Sequence, residues 1–158
     1  MLNGVHREIP NHLRPFVSSS DYLNHQRKII HKKEKQLETV FFSSFDEVFD
    51  CYKISDKQTL SFHHHLRNGD LVIQEVCQVI RERKINRLHF APSSIFPSYT
   101  NMIDLIKSGQ ISDIHTNYLN GEVARLISEG HLQGQLVMNT HGGRARVIES
   151  GDLKIDVA

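Results

Sequence analysis

The stretch Thr59–Arg83, TLSFHHHLRNGDLVIQEVCQVIRER, decides the reading of the fold. Its first part, "TLSFH", alternates and puts Leu60 and Phe62 on one face, as a half-buried strand requires. Its last part, "DLVIQEVCQVIRER", places Val72, Ile73, Val76, Cys77 and Ile80 on a single helical stripe. Between them lie His63, His64 and His65, then Arg67, Asn68 and Gly69. A strand that passes through a polar, glycine-containing junction into a helix is the opening of a parallel α/β unit.

Working outward, the same alternation repeats. "NRLHFA" reads as a second strand that ends in the loop "PSS", and "YTNMIDLIKSG" as a helix closed by Gly109. "QISDIHTNYL" gives a third strand, "GEVARLISEG" a helix closed by Gly130, and "GQLVMNT" a fourth strand. The expectation for residues 58–158 is an α/β domain with a largely parallel sheet flanked by helices. After "HGGRARVIESGD" comes "LKIDVA", which reads as an apolar strand cut short. Residues 1–57 read as an N-terminal arm and helical segment. Pro10, Pro15 and "SSS" suggest an extended start, and "HQRKIIHKKEKQLETVF" a solvated helix or basic linker. In "SSFDEVFDCY", Ser44 followed by Glu47 is a capping-box signature.

Composition narrows the function classes. A chain of 158 residues with 39% hydrophobic content suits one domain with its own core. A net charge of +1 supplies no strong field for nucleic acid or a membrane surface, so neither is expected as a partner. Eleven histidines make the charge rise in mild acid. Cys51 and Cys77 form no CxxC, and Cys77 falls on the apolar stripe, which points to a reducing compartment. No apolar run is long enough for a bilayer, and "MLNGVHREIPNHLRPF" lacks a signal peptide's apolar segment, so a cytoplasmic location is expected.

Open α/β sheets bind ligands beyond the carboxyl ends of their strands. The residues expected there are His63, His64, His65, Arg67, Asn68 and Gly69; then Ser93 and Ser94; then Thr116 and Asn117; then His141, Gly142, Gly143 and Arg144. Cationic donors, hydroxyls and glycines that bring backbone N–H groups close are suited to carboxylates or phosphates. Plainer readings stand beside these. The histidine run could bind a metal, but on a strand His63 and His65 share a face while His64 points away, and no cysteine or carboxylate cluster completes the set, so no metal is expected. Gly142 and Gly143 could form a simple tight turn. Ser93 and Ser94 lack the pattern around a nucleophilic serine. His89 and His115 fall inside strands and read as packing residues. No catalytic residue is assigned.

"SFHHHLRNGD", "APSS" and "HGGRARVIESGDLKIDVA", with "IPNHLRPF" in the arm, resemble the amino-terminal domain of the citrate lyase alpha chain, a member of the CoA-transferase family. The resemblance implies a CoA-transferase-like fold with a second domain that this chain does not include. It implies the exchange of acetate for citrate on the thioester of an acyl carrier protein or CoA. The implied cofactor is CoA or the CoA-like prosthetic group of the carrier, with no metal in this subunit. The implied partners are citrate and acetate, and the beta and acyl carrier (gamma) subunits of an oligomeric complex. In related transferases the catalytic glutamate comes from the second half, so Glu75, Glu82, Glu122, Glu129 and Glu149 are not given that role. The junction His63–Gly69 departs from the glycine-rich pattern of those relatives. The competing expectation is a stand-alone citrate or anion-binding module without turnover. A small metal-binding protein rests on the histidine run alone.

Overall fold

The parallel alternation expected from the sequence is present in a computed structural model that describes residues 2, 6–12, 40–63 and 71–158. The chain forms two compact units, residues 1–40 and 41–158. In the first, Leu2 bridges Glu8 in antiparallel fashion. The second begins with helix α1 (Phe45–Cys51) and continues β1 (Thr59–Phe62), α2 (Val72–Arg83), β2 (Leu88–Pro92), α3 (Met102–Lys107), β3 (Ile111–Thr116), α4 (Glu122–Ser128), β4 (Leu136–Met138) and α5 (His141–Ser150). The four strands pair in sequence order, β1-β2-β3-β4, and every pair is parallel. This is the α/β class that the sequence predicts.

That order fixes where the helices go. Right-handed crossovers between successive neighbours put α2, α3 and α4 on one face of the sheet. Accordingly α2 packs against α3, and α3 against α4. Leu60, Phe90 and Ile114 face this layer and are 3%, 0% and 0% exposed. The α2 stripe buries Ile73, Val76, Cys77 and Ile80 as its spacing predicts, and Val79 as well. Val72 differs: it lies in the first turn and stays 48% exposed. Burial pushes the Cys77 thiol up to about 12, so it serves as a small hydrophobe rather than a nucleophile.

Helix ends follow the local chemistry. Ser44 caps α1 by accepting from the Glu47 N–H at 3.3 Å, while the Glu47 carboxylate accepts from the Ser43 N–H at 2.7 Å. Arg83 at the end of α2 pairs with Asp46 at 2.7 Å and Asp50 at 2.6 Å of α1, clipping the two helices together. Gly109 and Gly130 follow α3 and α4 with φ of 79° and 85°, the left-handed conformation that ends helices.

Two features depart from the sequence expectation. "HGGRARVIES" is a helix, not a tight turn: Thr140 caps it, and neither Gly142 nor Gly143 has a positive φ. Strong helix formers further along, Arg144, Ala145 and Arg146, outweigh the two glycines once a cap is available. The segment "LKIDVA" is not a full strand either. It reaches the outer edge of β1 through a single parallel bridge, Leu60 with Val157. Ser61 N donates to Val157 O at 2.8 Å, and Thr59 N donates to the Asp156 carboxylate at 2.7 Å. To arrive there from β4 the chain runs back across the sheet. It does so over the face opposite α2–α4, where α5 lies. Among the described residues no helix is long and apolar enough to cross a membrane.

Candidate functional site

Strand register organises the face that α5 crosses. Ser61 pairs with Ala91, Thr59 with His89, His89 with Asp113, and His115 with Val137. Alternation therefore lines up Ser61, Ala91 and His115 near the carboxyl ends of three adjacent strands. One step further, Ser93 N donates to Phe62 O at 2.8 Å, Asn117 N to Ser93 O at 3.2 Å, and Asn139 N to Thr116 O at 3.0 Å. These bonds extend the pairing beyond the strands and set His63, Ser93, Asn117 and Asn139 as the next row.

Arg144 is the charged centre of this rim. The Thr140 hydroxyl accepts from the Gly143 N–H at 3.0 Å and fixes the first turn of α5, so that Arg144 follows directly. One guanidinium nitrogen, Nη2, donates to Ser61 Oγ at 2.9 Å and to the Ala91 carbonyl at 2.7 Å. The other, Nη1, is buried and has no hydrogen-bond partner. Burial draws the group below the usual arginine range, yet an arginine so placed keeps its charge. A hydrogen bond to a charged group contributes about 1.5–3 kcal/mol, and a buried donor left unmade costs a similar amount. The complement of such a fixed, half-satisfied guanidinium is a carboxylate.

The imidazoles beside it are kept neutral. Burial, then the charges of His89 and Arg144, hold His115 below the usual histidine range. Burial does the same at His89, opposed by Asp113. The Asn139 amide nitrogen lies against His115 Nε2, which accepts only when that nitrogen carries no proton. The rim thus presents one fixed positive charge surrounded by neutral polar groups.

The residues expected at the site fall into three groups. His64, His65, Arg67, Asn68 and Gly69 lie outside the described residues. Ser93 and Asn117 follow β2 and β3 and share a backbone hydrogen bond, His63 follows β1, and Arg144 reaches the ends of β1 and β2 through Ser61 and Ala91. Ser93 and Ser94 are 2% and 4% exposed, which suits structural hydroxyls. Thr116 is fully buried and donates to the Tyr118 carbonyl at 3.1 Å, so its side chain is used within the fold. His141 and Gly142 lie exposed in the first turn of α5, and Gly143 supplies the cap bond. Ser61, the Ala91 carbonyl, His115 and Asn139 are additions. Their signal in the sequence is the second face of each strand, where "LSF" and "DIHTN" place polar residues alternately with apolar ones. Among the described residues, no three histidine, cysteine or acidic side chains are grouped to hold a metal ion.

A cavity of about 590 Å³ lies on the helical side of β1, walled by Phe45, Phe49, Leu60, Phe62, Leu71 and Val76. It meets the rim only at Ser61–His63. Its apolar walls do not match the chemistry of Arg144, and the two are distinct features.

Comparison with known proteins places this arrangement in context. Residues 38–158 match the family model "Citrate lyase, alpha subunit (CitF)". The citrate lyase alpha chain of Haemophilus influenzae is 38% identical over 116 residues, which is 73% of this chain and 23% of that protein. That of Escherichia coli (strain K12) is 33% identical over 131 residues, 83% of this chain and 26% of the relative. A crystal structure from Streptococcus mutans, assigned as the alpha subunit of citrate lyase and in complex with citrate, superposes with a TM-score of 0.70 at 32% identity. That superposition covers 97% of this chain and 31% of the other. The chain therefore spans about a quarter of the length of the curated relatives it matches, with shares of 23%, 26% and 29%. With the parallel sheet, the matched span that includes both β1 and Arg144, and relatives that agree on one subunit, the chain belongs to the citrate lyase alpha subunit family.

Proposed function

We infer that this chain supplies the citrate-binding wall of a citrate CoA-transferase. That activity is the component of citrate lyase that exchanges acetate for citrate on the thioester of an acyl carrier protein. The observation that carries the reading is Arg144: a guanidinium pinned to Ser61 and Ala91 with its second nitrogen buried and unpartnered. Citrate in the related Streptococcus mutans structure supports the choice of carboxylate.

The chemistry assigned to these residues is recognition and orientation. Arg144 holds one carboxylate of citrate, and its bonds to Ser61 and Ala91 leave the guanidinium little freedom to follow a misplaced ligand. The neutral imidazole of His115 adds no competing charge. Acyl exchange needs a carboxylate nucleophile, and the described acidic groups do not offer one at the rim. Asp113 accepts from the Gln135 N–H at 2.9 Å and from the Ser112 hydroxyl at 2.6 Å, Glu75, Glu82, Glu122 and Glu149 are exposed on helices, and Glu129 is exposed just past α4. By resemblance, that nucleophile belongs to the second half of the enzyme. The CoA-like group of the carrier would need several cations for its phosphates. Among the described residues the rim has one anchored guanidinium, so carboxylate recognition is the task it fits. The beta and gamma subunits, a cytoplasmic complex and the carrier's prosthetic group enter this reading through the resemblance.

Titration calorimetry with citrate tests it. The chain is expected to bind citrate, and Arg144→Ala to weaken binding about tenfold to a hundredfold, the loss of one charge-assisted bond in a desolvated site. Citrate affinity unchanged in Arg144→Ala, with the fold intact by circular dichroism, would overturn the assignment. In the full-length enzyme the same substitution should abolish acetyl-to-citryl exchange. Citrate binding without any exchange there would favour the binding module over the transferase.

A further inference from the structure

Asn117 presents a second unmet demand at the same rim. Both side-chain heteroatoms, Oδ1 and Nδ2, are buried, and neither has a hydrogen-bond partner. Its backbone is held firmly: Asn117 N donates to Ser93 O at 3.2 Å, and the next turn is fixed by Ile95 N donating to Tyr118 O at 2.8 Å. The amide is therefore not loose surface. It lies two residues beyond His115 at the carboxyl end of β3, and Ser93, whose carbonyl accepts its N–H, lies two residues beyond Ala91, which anchors Arg144. A buried amide left without partners is disfavoured, and an apolar residue of similar size would remove the cost.

The chemistry of the amide selects its partner. Oδ1 can only accept and Nδ2 can only donate. A carboxylate, an acceptor alone, satisfies Nδ2 and leaves Oδ1 orphaned. A hydroxyl both donates and accepts, so it answers whichever amide atom faces it, and beside a carboxylate oxygen it completes both. Citrate carries one hydroxyl, on the carbon that also bears its central carboxylate. We propose that Asn117 is a specificity-determining residue that reads the hydroxyl of a hydroxy-tricarboxylate while Arg144 takes an adjacent carboxylate. This deepens, and rests on, the citrate reading of the Arg144 site.

The test compares citrate with propane-1,2,3-tricarboxylate, which has the three carboxylates and no hydroxyl. In titration calorimetry the unmodified chain should bind citrate about tenfold or more tightly than the analogue, since the analogue leaves the amide unpaired in a desolvated site. In Asn117→Val the two ligands should bind within about twofold of each other, through loss of citrate affinity rather than gain for the analogue. Arg144→Ala should weaken both ligands alike. Equal affinity of the two ligands in the unmodified chain overturns the hydroxyl reading and leaves the citrate site standing; this measurement needs no variant to fold. Binding of neither ligand overturns both readings. Discrimination that survives in Asn117→Val, or binding of pantetheine that depends on Asn117 while citrate discrimination does not, also overturns it.

Discussion

At the scale of single residues, Arg144 controls the electrostatics of the rim. Burial first, then His89 and the positive charge of Arg144, lower the proton affinity of His115. An anion on Arg144 cancels part of that influence, so under the proposed citrate reading the proton affinity of His115 should rise when citrate binds. Histidine side-chain NMR should find His115 titrating below the ordinary 6.5 in the free chain and moving upward with saturating citrate. An unchanged midpoint would separate His115 from the ligand. By reciprocity citrate then binds more tightly as pH falls through the His115 midpoint, whereas a histidine uncoupled from the ligand would add no such dependence. Arg144 was legible in the sequence because "HGGR" follows a strand. His115 was not: a histidine inside a strand pattern is usually packing, and only the β2–β3 register reveals which face it joins and what charge it meets.

At the scale of elements, alternation and helical spacing specified the order of strands and helices from Thr59 to Met138. They did so because each βα unit buries one strand face and one helix stripe against its neighbours, leaving a period that can be read. The ends were less legible. β4 keeps only Leu136–Met138 of "GQLVMNT", since an edge strand has a partner on one side only. The helix over His141–Ser150 was obscured by its glycines, whose low propensity is offset by the Thr140 cap. Glycines elsewhere differ in how firmly they are required. Gly121 begins α4 at φ 79°, and a Cβ there would come within 2.6 Å of Pro97 Cα. Gly130 has φ 85° but opens onto empty space. Urea unfolding should therefore show Gly130→Ala losing about 1 kcal/mol and Gly121→Ala clearly more, about 2–3 kcal/mol, because backbone strain and a backbone clash combine there. Equal losses would mean that Pro97 moves aside freely.

At the scale of the whole molecule, the sheet has two unlike faces, and this sets how stability answers to pH. The face under α2–α4 is apolar. The opposite face holds His89 and His115, both with proton affinity lowered by burial first of all. The unfolded chain protonates these rings near the ordinary 6.5 while the folded chain resists until lower pH, so the unfolded state binds more protons in that interval. Stability contributed by the neutral rings is complete above about 6.5 and declines as pH falls below it. Melting temperatures between pH 7.5 and 5.5 should show the decline, and His89→Gln with His115→Gln should flatten it; a profile unchanged by the pair would place the acid sensitivity elsewhere. The return of the chain to β1 has a consequence in time. The bond from Thr59 to Asp156 joins residues 97 positions apart. On a ribosome adding about 5–20 residues per second, that edge of β1 waits roughly 5–20 s for its partner. The ladders from β1 to β4 can close in order as they emerge, but the outer edge cannot. Throughout that wait, Thr59–Phe62 offers its unpaired amides to whatever strand is nearest, including the same segment of a nascent chain on a neighbouring ribosome. Spacing between ribosomes on the message, rather than the stability of the finished fold, then governs how much of this protein escapes aggregation during its synthesis.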